Sequence, residues 1–279
     1  VSTVFWRKAM SNISLTASMR SNLLSLQNTQ SLMDTTQERL STGKKVNSAI
    51  DNPSSYYTAQ SLNNRASDLS SLLDSMGQAI QTIKAADEGI EAITTFAQQA
   101  KAVAQSALDS SSETDRGNYM DQFNAILTQI DGVAKDSGYK GVNLLNSGSL
   151  TVKFDETGAS SLAITGKNAT ADGLGLSAQA KDSWKTTKNI EDAITAVDAA
   201  ISTLRSMASE FGNNYSIVQS REDFTENLIN VLTEGADKLT LADMNEESAN
   251  MLALQTRQQL AINSLSLASQ AAQSVLKLF

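Results

Sequence analysis

The residues best able to do acid–base chemistry are adjacent carboxylates at two places, Glu222–Asp223 and Glu246–Glu247. Two neighbouring carboxyl groups could act as an acid and a base if their side chains converged on one substrate. Both pairs lie in helical sequence, where successive side chains point about 100° apart, so a solvated helix face is the simpler interpretation. The chain has no histidine and no cysteine, which removes imidazole bases, thiol nucleophiles and ordinary zinc ligands. We therefore expect no catalytic residue, no metal site and no enzyme activity.

Other small motifs also lack the setting that ligand chemistry needs. Gly173 and Gly175 fall in a flexible polar stretch rather than between a strand and a helix, so nucleotide binding is not expected. Trp184 is predicted to cap a β-hairpin, with a carbohydrate or receptor contact as the lesser alternative. Four methionines recur at apolar helical spacing, which predicts core packing rather than ligand contact: Met19, Met33, Met76 and Met251. We expect no cofactor.

The composition indicates long helices with small contacts rather than a dense aromatic core. Of the 279 residues, 41% are hydrophobic and only 5% are aromatic. The formal charge of −8 argues against a nucleic-acid partner, because a phosphate-binding surface needs clustered Lys and Arg. No apolar run approaches the roughly 20 residues that span a bilayer, so we expect no membrane insertion.

Residues 1–10 do not share the periodic pattern that begins at Ser11. They contain Arg7 and Lys8 but no apolar segment long enough to make a signal peptide. We expect a non-native or disordered extension that reflects an upstream start codon, with the working protein beginning at Met10 or Ser11. Any secretion would then proceed without a cleaved signal peptide.

Hydrophobic spacing predicts helices over the first half of the chain. Met19, Leu26, Met33 and Leu40 recur every seven residues, and Leu23 begins a companion set that continues with Gln30 and Gln37. A longer pattern from about residue 54 to residue 109 alternates steps of three and four, which is coiled-coil spacing. A third helix follows residue 115, with one apolar face formed by Met120, Phe123, Leu127, Ile130 and Ala134.

The periodicity then changes and later returns. Residues 150–154 and 161–165 alternate apolar and polar side chains, which predicts a β-hairpin within residues 139–183, and Lys167–Ser183 is predicted to form an exposed tip. Helix resumes near Thr187, and a final helix carries the alternating set Met251, Leu254, Gln258, Ala261, Leu265, Ala268, Ala272, Val275 and Phe279. The prediction is a mainly α fold: a long antiparallel helical, coiled-coil rod with a small β-hairpin at its tip and paired N- and C-terminal helices.

The terminal helices carry leucines on more faces than a single partner helix can cover. The leucines off the main seam are Leu24, Leu32, Leu252, Leu260, Leu267, Leu276 and Leu278. Each buried leucine contributes about 1.5–3 kcal/mol, so an uncovered set marks an interaction surface. We interpret both helices as polymerisation elements that pack against identical helices of neighbouring subunits, because an unclosed head-to-tail contact produces a helical filament. The predicted polymerisation seam consists of Met19, Leu23, Leu26, Met33, Leu40, Met251, Leu254, Leu265, Val275 and Phe279.

Three motifs, near both ends and in the middle of the chain, resemble those of the bacterial flagellins. Residues 40–52, LSTGKKVNSAIDN, resemble the family's LSSG-basic-x-INSAxDD segment, and residues 139–146, YKGVNLLN, resemble its FNGxNLL turn. Residues 242–279 resemble the family's C-terminal helix, which ends in a VLxLL pattern. The resemblance extends over nearly the whole chain from Ser11 and implies a short form that lacks the large outer variable domains.

This resemblance implies a structural subunit that polymerises into the bacterial flagellar filament used for swimming. It implies that residues 11–50 and 240–279 form inner-tube helices and that residues 51–239 form a surrounding rod. Gly43 and Pro53 mark the junction, since glycine can end a helix in a left-handed conformation and proline can open the next one. It further implies type III export, an extracellular location in the filament, contacts with cap and hook-associated proteins, and an export chaperone at the C-terminal region.

One segment departs from the family pattern. The resemblance aligns residues 96–105 with an LQRVRELAVQ-like stretch that a host Toll-like receptor senses. This segment is degenerate at several positions. Gln98 is one of them, Ala100 stands where the pattern has its second Arg, and Lys101 replaces its Glu. We predict weak or absent receptor activation.

Two other functions are compatible with the same helical ends. A hook–filament junction protein would be present only at the filament base, whereas a filament subunit would be labelled by immunogold along its whole length. A surface adhesin built on the same rod would be indicated if its deletion abolished surface attachment and left motility intact.

Overall fold

The computed structural model describes residues 17–276, without the side chains of residues 17–18, 272–273 and 275–276. The described part contains five α-helices and two strands: α1 (Ala17–Thr42), α2 (Pro53–Asp109), α3 (Glu113–Asp136), β1 (Ser149–Lys153), β2 (Ser161–Thr165), α4 (Thr187–Thr240) and α5 (Met244–Leu276). The mainly α prediction with one small hairpin is confirmed. The predictions for residues 1–10, Leu278 and Phe279 fall outside the described residues, as do those for the side chains of Val275 and Leu276.

Contacts between Cα atoms divide the chain into two compact units. We call residues 63–233 the central unit, and the described residues up to Leu62 and from Glu234 the terminal unit. The divisions fall within α2 and α4, so each of these helices contributes to both units. The predicted boundaries between inner tube and rod, at residues 50 and 240, stay a prediction about the assembled filament.

In the central unit, α2 and α4 run antiparallel and enclose an apolar core. Lys101 Nζ lies 2.6 Å from Asp198 Oδ1, and Lys84 Nζ lies 5.6 Å from the centre of the Tyr215 ring. Helix α3 begins after Ser112, whose side chain accepts a hydrogen bond from the Asp115 N–H. It buries the apolar face that its spacing predicts, Met120, Phe123, Leu127, Ile130 and Ala134.

The hairpin forms where the alternating residues predict it. Strands β1 and β2 pair antiparallel, with Leu150 opposite Ile164 and Val152 opposite Leu162. Val152 and Ile164 are buried, whereas their neighbours along each strand are exposed or half-buried. The sheet therefore packs one face against the core of the central unit.

The prediction that Lys167–Ser183 forms an exposed tip is wrong for its apolar residues up to Leu176, whereas residues 177–178 and 180–182 are exposed. Ala169, Ala171, Leu174 and Leu176 are buried in the core of the central unit. Side chains of α3 satisfy the backbone of this segment: Asp131 Oδ1 accepts from the Ala171 N–H at 2.8 Å, and Asn124 bonds the backbone of Gln179 in both directions, at 2.7 and 2.9 Å. The segment looked like a flexible loop because its residues are small, yet small residues can lie close against a helix that supplies hydrogen-bond partners.

Trp184 also differs from its prediction. Its side chain is 1% exposed, and its ring lies 5.2 Å from that of Phe123 on α3. It lies in the short 3₁₀ turn Ser183–Lys185 that precedes α4 and packs on α3 rather than capping the hairpin. A buried indole offers no surface for a carbohydrate or a receptor.

In the terminal unit, α1 and α5 form an antiparallel pair. Arg39 Nη1 lies 2.9 Å from Glu247 Oε1, and Gln258 donates to Gln30 Oε1 at 2.8 Å. The contact face of α5 alternates steps of three and four as predicted, with its described members half-buried: Met251, Leu254, Gln258, Ala261, Leu265 and Ala268. The prediction that the terminal helices pair is confirmed.

Candidate assembly surface of the terminal helices

The connections between the terminal helices and the long helices are held by backbone hydrogen bonds. Gly43 has a φ of 71°, and its N–H bonds the Arg39 carbonyl at 2.8 Å, so it ends α1 in the left-handed conformation expected of it. The Lys45 N–H bonds the Thr240 carbonyl at 2.8 Å, and the Ala242 N–H bonds the Gly43 carbonyl at 3.0 Å. These bonds tie the segment that leaves α1 to the segment that enters α5.

Asp51 organises the loop that leads into α2. One of its carboxylate oxygens accepts from the N–H groups of Asn47 and Ser48, at 3.0 and 2.9 Å. These backbone bonds, first that from Ser48, hold the pKa of the Asp51 carboxyl below its usual 3.8. Pro53 then opens α2 as predicted, and Asn52 Oδ1 accepts from the Ser55 N–H at 3.1 Å.

The contact face of α1 has a different companion set from the predicted one. Leu23 is 38% exposed and lies off the face that contacts α5, whereas Thr29 and Thr36 are buried. Besides Arg39, the buried and half-buried positions are Met19, Asn22, Leu26, Thr29, Met33, Thr36 and Leu40. The second contact position of each heptad (Asn22, Thr29 and Thr36) therefore lies three residues after the apolar one, whereas the prediction placed it four residues after. The prediction of Leu23 as a contact residue is therefore wrong for the pair within one copy, and the role of the predicted seam in polymerisation stays a prediction.

The buried threonine Thr29 does not bond across the pair. Its hydroxyl donates to the carbonyl of Ser25, one turn earlier in its own helix, at 2.8 Å. The methyl group is then the part of Thr29 that can contact α5. The α1 face is thus half apolar and half small and polar, which limits the apolar area that the pair can bury.

Glu247 is a site residue that the sequence interpretation missed. It is only 7% exposed and pairs with Arg39, whereas Glu246 beside it in the first turn of α5 is exposed. The prediction of a solvated face is therefore wrong for Glu247. The sequence does contain a signal for this pair. When α1 and α5 are aligned antiparallel, the acidic Glu247 near the start of α5 falls opposite the basic Arg39 near the end of α1, which predicts an ion pair.

The outer faces of both terminal helices carry uncovered leucines. Leu24, Leu252, Leu260 and Leu267 are each 60% exposed or more, and Leu32 is also exposed. They match the predicted off-seam set as far as the described side chains extend. Such apolar surface costs free energy in water and favours association.

Between residues 17 and 276 no cluster of His, Cys, Asp and Glu side chains is suited to a metal ion. The Glu246 and Glu247 carboxyls do not converge, since Glu247 is held by Arg39. Within the same span no helix is long and apolar enough to cross a membrane.

The segment aligned with the immune-receptor pattern lies on α2 in the central unit. Gln98 is exposed, Ala100 is fully buried in the core, and Lys101 pairs with Asp198 on α4. The side chains of Ala100 and Lys101 therefore already make contacts within this chain, and of the three only Gln98 is free to face a receptor. The effect on receptor activation stays a prediction.

Paired terminal helices with uncovered apolar faces, joined to a helical unit with its own core, define the class of self-assembling structural subunits. The model for the bacterial flagellin N-terminal helical region matches residues 13–149, and that for the bacterial flagellin C-terminal helical region matches residues 194–279. The chain belongs to the flagellin family, and it is a subunit of the flagellar filament. The junction-protein and adhesin alternatives are not favoured.

Curated relatives match along nearly their whole length. Flagellin FljM of Caulobacter vibrioides is 29% identical over 273 residues, which cover 97% of this chain and 99% of the relative. The flagellin of Brucella melitensis is 29% identical over 285 residues, with the same shares of the two chains. The crystal structure of Bacillus cereus flagellin aligns with a TM-score of 0.48 at 15% identity, over 54% of this chain and 88% of that chain.

Proposed function

We propose that the terminal unit is the polymerisation element of this flagellin. In the proposed filament, the outer faces of α1 and α5 pack against the same helices of neighbouring copies and form the inner tube of a homopolymer of many identical subunits. The observation that carries the proposal is the row of uncovered leucines on α5, Leu252, Leu260 and Leu267. These side chains have no partner within the pair, and identical copies are the partners that a homopolymer supplies.

The proposed test replaces two of these leucines together, Leu252→Ser and Leu260→Ser. Both side chains are exposed in the subunit, so the change leaves the packing within one copy intact. Losing two leucines at about 1.5–3 kcal/mol each is expected to raise the critical concentration for polymerisation at least tenfold, measured by sedimentation. The matched control, Gln255→Ser with Gln259→Ser, replaces exposed polar residues of the same helix and should leave polymerisation unchanged. Equal sedimentation of the leucine variant and the control would contradict the proposal.

The proposed biological role follows from the flagellin resemblance. The subunit is exported unfolded through the flagellar type III apparatus and joins an extracellular filament that drives swimming. Its proposed partners are the cap protein, the hook-associated proteins and an export chaperone that binds the C-terminal region. Secretion that continued in a strain without the export apparatus would contradict this route, and mass spectrometry of the secreted protein would identify its first residue.

Neither enzyme activity nor strong immune recognition is part of the proposed function. We expect purified subunits to activate a Toll-like receptor reporter weakly or not at all, because Ala100 is buried and Lys101 is paired with Asp198. A flagellin that carries the full receptor pattern serves as the positive control. A response equal to that control would contradict the expectation.

A further inference from the structure

Helix α4 carries a second heptad seam that faces solvent in the central unit. Its positions alternate steps of four and three, as in a coiled coil, and all are exposed: Asn213, Ile217, Ser220, Phe224, Asn227 and Val231. Phe224 and Val231 are 57% and 63% exposed. The seam contains no charge, and like the α1 face it alternates an apolar residue with a small polar one. On α1 that composition contacts a helix, whereas on α4 Phe224 and Val231 stay more than half exposed and Ile217 is 37% exposed.

The groove between α2 and α4 of the central unit has a complementary repeat. One hollow, of about 190 Å³, is lined by Ile83, Lys84, Asp87, Phe211, Gly212 and Tyr215. A second, of about 350 Å³, has among its lining residues Ile90, Glu91, Thr94, Leu204, Arg205 and Ala208. Each of these residues lies seven positions from its counterpart in the first hollow, so the groove repeats every heptad. Seven residues of α-helix advance about 10 Å, which is also the spacing of Ile217, Phe224 and Val231.

The first hollow suits the largest side chain of the seam. An apolar cavity of about 150 Å³ is large enough for benzene, so the hollow at Gly212 can take the ring of Phe224. The hollow is open because position 212 has no side chain, and nothing lies within 4 Å of a Cβ built there. In the second hollow the equivalent position is occupied by Arg205, whose charged side chain makes that hollow less suited to an aromatic ring.

We propose that the α4 seam of one copy docks into the α2–α4 groove of a second copy, with Phe224 in the hollow at Gly212. The partner is a second copy because this chain is a filament subunit, and the seam and the groove occur together on every copy. The two surfaces differ, so the contact is head-to-tail and can repeat without closing, as a filament requires. The inference rests on the filament function but not on the proposed role of the terminal unit.

A disulfide test can detect this contact in the full chain, which has no native cysteine. The double variant Gly212→Cys, Phe224→Cys places one thiol in the hollow and one on the seam. Within one copy the two positions are twelve residues apart on a continuous helix, about 18 Å, which is too far for a disulfide. Mild oxidation of the polymer is expected to give a ladder of dimers, trimers and longer species under denaturing, non-reducing conditions.

The control pairs Gly212→Cys with Glu226→Cys, an exposed position about 200° around the helix from Phe224, and should give no ladder. Polymer of the double variant that sediments normally without a ladder would overturn the proposal. Dimers formed equally well by Phe224→Cys alone would also overturn it, because they would mean that two α4 seams pack on each other. If the terminal leucine variants polymerise normally while the ladder forms, only the terminal-unit proposal fails.

A second variant closes the hollow without introducing a thiol. Gly212→Met is expected to raise the critical concentration for polymerisation at least fivefold, because the new side chain occupies the place of the Phe224 ring. Its matched control is Gly132→Met on α3, another helical glycine with nothing within 4 Å of a Cβ. Unchanged melting temperatures with reduced polymerisation of Gly212→Met alone would support the contact, and equal polymerisation of both variants would overturn it.

Discussion

The central and terminal units use the same heptad spacing but bury very different side chains. The central unit encloses large residues that are almost fully buried, among them Phe123, Phe211, Trp184, Ile130 and Leu144. The buried residues described in the terminal unit are small, aliphatic or polar: Met19, Val46, Ala59, Ala236, Thr29, Thr36 and Glu247. Helical spacing therefore predicts where contacts form but not how much free energy they supply. The comparison suggests a central unit stabilised by its own core and a terminal unit that needs neighbouring copies.

The largest expected effect is the loss of an aromatic ring from the central core. Phe211 is fully buried, and Phe211→Ala is expected to reduce the free energy of unfolding by about 3–5 kcal/mol. Met33→Ala on the half-buried α1 face is the matched change in the terminal unit and should cost less than half as much. Urea unfolding of the unpolymerised subunit measures both. Equal losses would contradict the contrast between the units.

A smaller effect is expected from adding a methyl group where two segments of the central unit touch. A Cβ at Gly89 of α2 would lie 2.2 Å from Ser137 Oγ and 2.6 Å from Leu145 Cδ1. Gly89→Ala is therefore expected to cost about 1–3 kcal/mol through overpacking. Gly132→Ala, where the added methyl meets nothing, should instead stabilise α3 by up to about 1 kcal/mol. Thermal unfolding of both variants checks the difference, and a stabilised Gly89→Ala variant would show that the central unit is more loosely packed than described.

The ion pairs allow a direct comparison of the two units. Glu247→Gln in the terminal unit is expected to cost about 1–2 kcal/mol, less than a fully buried pair because the Arg39 side chain is 37% exposed. Asp198→Asn, which removes the partner of Lys101 in the central unit, should cost less than about 1 kcal/mol, since both side chains are substantially exposed. Double-mutant cycles that include Arg39→Gln and Lys101→Gln measure the two coupling energies. A weaker coupling for Arg39 and Glu247 than for Lys101 and Asp198 would contradict the expectation that the more buried pair is the stronger one.

The smallest effect concerns one loop carboxylate in each unit. Hydrogen bonds, chiefly from backbone N–H groups, hold the pKa of the Asp51 carboxyl below its usual 3.8. A hydrogen bond from the Thr157 side chain is the main cause that lowers the pKa of the Asp155 carboxyl in the same way. A lowered pKa in the folded state means that the stabilisation is present above the unfolded pKa and is lost as pH falls through the folded one. Both loops should therefore loosen only below about pH 3.8, and polymerisation near neutral pH should not depend on either titration. NMR titration of the two carboxyl groups would contradict this if either pKa exceeded the usual value.

Much of the fold follows from the sequence because long periodic segments determine their own helices. The predicted start of α4 and the predicted end of α2 agree with the structure, and so does the buried face of α3. The packing of Lys167–Ser183 could not be predicted in the same way. Its small residues carry no periodicity, and its burial depends on Asn124 and Asp131, which are distant in sequence.

The candidate site was predicted less completely than the fold. The α5 face and the uncovered leucines follow from spacing alone, whereas the α1 face required the correct choice between Leu23 and Asn22. Two polar residues, Thr29 and Thr36, hold buried positions that a search for apolar residues passes over. The burial of Glu247 depends on its partner on another helix, which no local pattern records.

The hydroxyl of Thr29 has a consequence for how the terminal helices find their alignment. Because that hydroxyl is committed to Ser25 of its own helix, the residue offers α5 a methyl group with no directional preference. A slip of α1 by one heptad would exchange one such contact for another of nearly the same kind. The bonds from Arg39 to Glu247 and from Gln258 to Gln30 then fix one register of the pair among several that are nearly equal in apolar contacts. Without these two bonds, α1 and α5 should still pair but should exchange between registers that differ by one heptad.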